Sequence, residues 1–214
     1  MKLYTHPRTA SSRRVRLFVA EKRLTIPQVR VDLASHENWG SEYRAKNPAG
    51  TVPMLELDDG TYLAETVAIC RYLELTHPEP PLFGSSPREQ AVVEMWQRRV
   101  ELEGLLPCFD VFRNRDPALD GQARPGWSEG MARIPALVDR GPILLGRLLG
   151  WLGDPLAAAP YVAGDRFSIA DITLWVTLVV ADFLALDIDL PASVADWKRR
   201  VAERPAIAND GYPG

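Results

Sequence analysis

Val52-Pro53 is the feature that most restricts how this chain can fold. The proline comes directly before the strand-like Met54-Leu55-Glu56-Leu57, and it has no N–H to give to a sheet ladder. A cis peptide bond resolves that conflict. It turns the chain so that Val52 directs its own N–H and C=O outward, toward an extended ligand. Further on, Glu65-Thr66 opens an apolar-periodic stretch. The backbone N–H groups there stand at a helix N-terminus, where a carboxylate binds well. The two features read as two halves of a site for a small anionic peptide.

A chain of 214 residues is one large or two small domains. An apolar fraction of 46% with six Trp is ample for a packed core, and 25% charged residues is ordinary. A net charge of -3 and a pI near 5.7 argue against a nucleic-acid surface. No apolar run is long enough for a membrane span. Met1-Lys2-Leu3-Tyr4-Thr5-His6-Pro7 lacks the features of a signal peptide. Cys70 and Cys108 have no metal-like spacing and both fall in helical patterns. The expectation is a reduced, cytoplasmic, metal-free protein without nucleic-acid or membrane partners.

The first third alternates strands and helices. Residues 2–5 read as a strand, 9–12 as a polar turn, and 13–22 as a helix on the spacing of Val15, Phe18 and Val19. Residues 28–32 alternate as a strand, and 38–46 form a short helix stopped by Asn47-Pro48-Ala49-Gly50. Strands at 52–57 and 61–63 flank Asp58-Asp59-Gly60, a hairpin signal, and 64–76 is a helix. The order βαβαββα implies a small mixed sheet covered by helices.

Residues 77–86, rich in Pro, Gly and Ser, read as a linker. The remainder reads as all-α. A long helical pattern covers 87–113, with Pro107 kinking it or ending its first part. Residues 114–127 are a polar loop, and 128–152 are helical with an interruption near Gly141-Pro142. Ser168 and Asp171 have capping-box spacing ahead of 172–185, which is apolar almost all round and so belongs at the centre of its domain. A final amphipathic helix covers 191–203. The boundaries predicted are 1–76, a linker at 77–86, and 87–214.

Five segments carry a family resemblance: Lys2-Leu3-Tyr4, Arg14-Val15-Arg16, Asn47-Pro48-Ala49-Gly50-Thr51-Val52-Pro53, Leu63-Ala64-Glu65-Thr66-Val67-Ala68-Ile69, and Ala163-Gly164-Asp165-Arg166-Phe167-Ser168-Ile169-Ala170-Asp171. In this order they resemble the soluble glutathione transferases, which have a thioredoxin-like N-terminal domain and an all-helical C-terminal domain. Within the family the chain looks most like bacterial members related to the fungal type. The resemblance implies that glutathione lies extended along Val52, before cis-Pro53, with its γ-glutamyl end on Glu65-Thr66. The carboxylate would take the Thr66 N–H and hydroxyl, and Glu65 would attract the ammonium. Many relatives carry Gln or Lys at Thr51, so a further group must help at the glycyl end. His36, Asn38 and Trp39 lie in the right segment. The resemblance also implies a homodimer.

The family places a hydroxyl or thiol between the first strand and the first helix to stabilise the glutathione thiolate. Counting back from Arg14-Val15-Arg16 puts that position on Thr9, a departure from the usual serine. Ser11 is an equal candidate, and a backbone N–H at Ser11 or Ser12 would also serve. Ser11 and Ser12 are alternatively helix caps. The second substrate would sit between the domains, lined by Trp96, Phe109, Phe112 and Arg113, and Arg99 or Arg113 would favour anionic electrophiles. Aromatics at helical spacing are more often core or dimer interface than ligand contacts, which is the other reading of Trp96, Phe109 and Phe112. Three functions fit the scaffold: a transferase conjugating glutathione to small electrophiles, in detoxification; a glutathione-dependent isomerase or dehalogenase; and a non-catalytic glutathione- or protein-binding module.

Overall fold

A computed structural model describes residues 1–123, 126 and 130–210. Four strands, β1 (Lys2–Thr5), β2 (Gln28–Arg30), β3 (Met54–Glu56) and β4 (Tyr62–Ala64), form one sheet in the order β2-β1-β3-β4. The β1–β2 pair is parallel, with Tyr4 opposite Val29; β1–β3 and β3–β4 are antiparallel, with Tyr4 opposite Met54 and Leu55 opposite Leu63. Helices α1 (Ala10–Glu21), α2 (Ser41–Lys46) and α3 (Thr66–Thr76) complete the expected βαβαββα order. Leu3 and Leu55 join Val15, Phe18, Ile69 and Leu73 in the main core, while Val31, Tyr43 and Met54 make a smaller cluster of their own.

The elements differ from expectation mostly at their ends. Helix α1 starts at Ala10 because Thr9 is extended (φ -95°, ψ 132°) while its carbonyl already accepts from the Arg13 N–H at 2.9 Å. The polar turn at 9–12 is therefore the first helical turn. β2 ends at Arg30, and β3 starts at Met54, after the cis-proline. The Val52-Pro53 bond is cis as expected; Glu79-Pro80 is also cis, which the sequence did not suggest.

The rest is helical. α4 (Pro87–Val100) is capped by Ser86, whose Oγ accepts from the Glu89 N–H at 3.2 Å. A π turn, Glu101–Leu105, then leads without a break into α5 (Leu106–Arg115). Of the two expectations for Pro107, a kink or an end, the end is corrected: the helix continues through it. The proline has no N–H and its ring collides with the carbonyl one turn back, and the wider turn ahead of it relieves both problems. α6 (Ala136–Ala158) likewise runs straight through Pro142 and Pro155. Packing carries it: a Cβ on Gly141 would stand 2.3 Å from Val111 Cγ2, so the two helices touch where the sequence suggests an interruption. α6 begins only at Ala136, later than expected, and the loop and helix expected over 124, 125 and 127–129 fall outside the described residues.

α7 (Ile169–Phe183) is the expected central helix, with ten buried residues. Asp171 is wholly buried and accepts from the Ser168 N–H (3.0 Å) and Oγ (2.9 Å), the Val162 N–H (2.9 Å) and Trp197 Nε1 (2.8 Å). The expected capping box thus also ties α7 to α8 (Ala192–Ala202). A short α9 (Pro205–Ala208) follows. Four ion pairs tie α1 and its exit to other segments: Arg13–Asp210, Arg14–Glu101, Lys22–Glu74 and Glu21–Arg204. Among the described residues no helix is long and apolar enough to cross a membrane.

Candidate functional site

The cis-proline loop is braced from behind. The Thr51 carbonyl accepts from Tyr43 Oη at 2.7 Å and Asn47 Nδ2 at 2.8 Å, and the Gly50 carbonyl from Asn38 Nδ2 at 2.7 Å. Asn47 Oδ1 also accepts from the Ala49 N–H at 3.2 Å. These bonds explain the Asn47-Pro48-Ala49-Gly50 run as more than a turn. With its neighbours held, Val52 forms no backbone hydrogen bond among the described residues. Its N–H and C=O remain as an open edge.

Glu65 sits at the head of α3 with φ 69° and ψ 122°. A side chain rarely takes that conformation without a local reason. Its carboxylate is exposed and has no partner among the described residues. Thr66 is buried, and its Oγ1 donates to the Ser11 carbonyl at 3.3 Å. That bond joins the N-terminus of α3 to the first turn of α1, so both helix ends present N–H groups in one place.

The β1–α1 connection separates the hydroxyl candidates. Thr9 Oγ1 has two acceptors for its one proton, Ser12 Oγ at 2.7 Å and the His6 carbonyl at 3.3 Å. Ser12 is fully buried, and its Oγ also takes the His6 N–H at 3.3 Å. Both hydroxyls are committed to closing the turn, and neither caps α1. The half-buried Ser11 hydroxyl has no partner among the described residues. His6 Nδ1 accepts the Arg8 N–H at 3.2 Å, which leaves the ring proton on Nε2. Burial, followed by the Arg30 charge, lowers its pKa, so the ring is neutral near pH 7. Arg16 steadies the same loop through the His6 and Pro7 carbonyls, at 3.2 and 3.1 Å.

His36 has φ 59° and stacks on Trp39 with ring centroids 4.1 Å apart and planes within 4°. Trp39 Nε1 is buried without a partner among the described residues. Thr51 is half-buried, its Oγ1 taking Asn47 Nδ2 at 3.4 Å. Along the long helix, Trp96 belongs to the buried core, with the Arg99 guanidinium 4.9 Å from its ring. Phe109 packs on the core edge. Phe112 is exposed and pairs with the exposed Phe183 at 6.3 Å. Half-buried Arg113 donates to the Gln122 carbonyl at 3.3 Å, and burial lowers its pKa. Burial pushes the Cys70 and Cys108 thiols up to about 12, so neither is a nucleophile at neutral pH.

Sequence reasoning missed Glu101. Its carboxylate takes both Nη atoms of Arg14, at 3.0 and 3.1 Å, and links α1 to the π turn. The signal available was a charged pair on two apolar-periodic segments, which is not distinctive.

Two family models match the chain: the glutathione S-transferase N-terminal domain over residues 3–81 and the C-terminal domain over 135–209. Glutathione S-transferase 2 of Saccharomyces cerevisiae is 35% identical over 97% of this chain and 88% of its own length. That likeness bears out the fungal-type resemblance. A maleylacetoacetate isomerase of Pseudomonas aeruginosa is 30% identical over 96% of this chain and 91% of its own. The crystal structure of a glutathione S-transferase domain-containing protein from Marinobacter aquaeolei superposes with a TM-score of 0.88 at 35% identity, covering 97% of this chain and 100% of that one. With the mixed four-stranded sheet, the cis-proline and the helical region in place, the chain belongs to the glutathione S-transferase family.

Proposed function

We propose that this chain conjugates the thiolate of glutathione, its co-substrate, to small electrophiles. One observation carries the reading: the open backbone edge of Val52 lies beside two helix N-termini that the Thr66–Ser11 bond holds together. Glutathione is itself an extended anionic peptide, and it would pair with Val52 before Pro53. Its γ-glutamyl carboxylate would take the N–H groups at Thr66 and its ammonium the Glu65 carboxylate. His36, Trp39 and Thr51 would border the glycyl end, with Trp39 Nε1 supplying a donor that lacks an acceptor among the described residues. A free thiol has a pKa of about 8.5, so the site has to favour the anion. The Ser11 hydroxyl and the free N–H groups of Ser11 and Ser12 supply that field. Thr9, whose proton is already committed, supports the turn. Phe109 and Arg113 would face the electrophile, whereas Trp96 serves the core and Phe112 pairs with Phe183 on the surface.

The same reading covers the organisation of the protein. The glutathione-binding domain is 1–76, the linker 77–86 and the helical domain 87–214, with detoxification in the cytoplasm as the role. Met95, Leu102 and Leu106, exposed along α4 and its continuation, with Leu75 on α3, offer apolar surface for a second copy in a homodimer. Sedimentation velocity tests that assignment.

Calorimetric titration with glutathione and with its S-methyl derivative tests the site. Binding of both supports it, and binding of neither overturns it. The likeness to an isomerase motivates one control. A substrate rearranged without net loss of glutathione assigns isomerase rather than conjugation chemistry.

A further inference from the structure

Among the described residues no carboxylate answers the charge of Arg113. Arg13, Arg14 and Arg204 meet carboxylates at Asp210, Glu101 and Glu21, whereas half-buried Arg44, like Arg113, meets none among the described residues and bonds the Gly126 carbonyl at the cis-proline loop. Arg113 is half-buried in the last turn of α5. Its guanidinium gives one hydrogen bond, to the Gln122 carbonyl, and lies 5.6 Å from the Phe112 ring. A guanidinium has five N–H donors, and the planar fork fits a carboxylate through two of them. A desolvated cation without a counter-ion is costly unless something supplies one.

Its position says where that counter-ion would come from. In the π turn the Leu106 N–H bonds the Glu101 carbonyl, one residue further than in an α-helix. That extra residue shifts the helical faces by one place. The face below Glu101 therefore descends through Phe109 and Arg113 instead of through Cys108 and Phe112. Glu101 faces α1, because it holds Arg14. Arg113 is also tied to the cis-proline loop through the chain beyond it. Four peptide links join Gln122 to Gly126, a reach of roughly 14 Å at most. Gly126 is pressed against that loop: its carbonyl accepts from Arg44 at 3.1 Å, and a Cβ there would stand 2.0 Å from the Ala49 carbonyl. These two ties put Arg113 on the side of α5 that carries Glu101 toward α1.

We propose that Arg113 is a specificity residue that binds a carboxylate on the electrophile, so that the preferred substrates are anionic; this rests on the glutathione transferase reading. The alternative is that Arg113 merely caps α5 through the Gln122 carbonyl.

The test compares two conjugates that differ only in charge, S-(4-carboxy-2-nitrophenyl)glutathione and its 4-carbamoyl counterpart, by calorimetry on the full chain. The wild type should prefer the carboxylate by about tenfold, equivalent to about 1.4 kcal/mol. Arg113→Met should abolish that preference and leave S-methylglutathione, which carries no aryl group, unchanged, while Arg113→Lys should keep part of it. Equal losses for both conjugates, or a preference that survives in Arg113→Met, would overturn the proposal. A wild type that binds S-methylglutathione without any preference overturns the Arg113 assignment and leaves the glutathione site standing. A wild type that binds none of the three overturns both.

Discussion

Replacing Glu65 with glycine should make the protein more stable and worse at binding glutathione. Glu65 holds φ 69° and ψ 122°, while its side chain has no hydrogen bond or ion pair among the described residues. Such a backbone conformation costs a non-glycine residue about 1–3 kcal/mol. Glycine removes that cost and adds roughly 0.5–1 kcal/mol of its own through the greater entropy of the unfolded chain. Taking about 2 and about 1, the variant gains about 1 kcal/mol, or about 2–4 °C in melting temperature for a chain of this size. Binding should move the other way. A charge-assisted hydrogen bond to the ligand ammonium is worth about 1.5–3 kcal/mol, so the dissociation constant should rise about 10- to 150-fold. Differential scanning calorimetry gives the first quantity and titration calorimetry the second. A lower melting temperature would refute the strain argument, and an unchanged dissociation constant would refute the placement of the ammonium.

The hydroxyl assignment separates two variants: Ser11→Ala should lower kcat for conjugation of a chlorinated nitrobenzene about 10²-fold or more, with little change in glutathione affinity, and Thr9→Ala should lower it less. The opposite order would return the role to Thr9. Away from the site, Lys22→Met should cost about 3–5 kcal/mol in urea denaturation. It leaves Glu74 buried without its cation and strips a donor from the His77 and Pro80 carbonyls, at 2.8 and 2.6 Å. A loss below about 1 kcal/mol would show that the pair contributes no more than a surface bridge. Adding Glu74→Leu to that variant should recover part of the loss, because no buried charge then remains.

What was legible in the sequence was what short-range rules decide. The alternation of strands and helices, the Asp58-Asp59-Gly60 hairpin, the Ser168–Asp171 cap and the cis bond before Pro53 each follow from residues within a few positions of one another. The prolines at 107 and 142 misled for the complementary reason. A local rule predicts a kink or a break, but Pro107 follows a π turn whose Gly104 packs against Leu148 and Thr177, and Pro142 sits where Gly141 packs against Val111. Contacts between distant helices hold both segments helical against the propensity of one residue. The first turn of α1 was read as a polar turn because Thr9, Ala10, Ser11 and Ser12 show no apolar periodicity. Their helical state comes from the extended Thr9 and from burial of the Ser12 side chain.

The site divides along the same line. Val52, Glu65 and Thr66 could be placed from sequence because backbone geometry gives them their chemistry, and local residues set that geometry. Thr9 and Ser11 could not be told apart, since both carry a hydroxyl two positions apart. What separates them is that Thr9 meets Ser12 Oγ and the His6 carbonyl, whereas Ser11 meets no acceptor among the described residues. Arg113 takes the argument furthest. In sequence it is a candidate for anionic electrophiles only through the family resemblance, and Arg99 is an equal one. In the fold Arg13, Arg14 and Arg204 find carboxylates far away in the chain, and among the described residues Arg113 finds none. A missing counter-ion has no sequence signature, because it depends on which distant acids fail to arrive. Residues whose distant partners are absent are therefore the ones at which a fold can reveal a ligand that its sequence leaves unread.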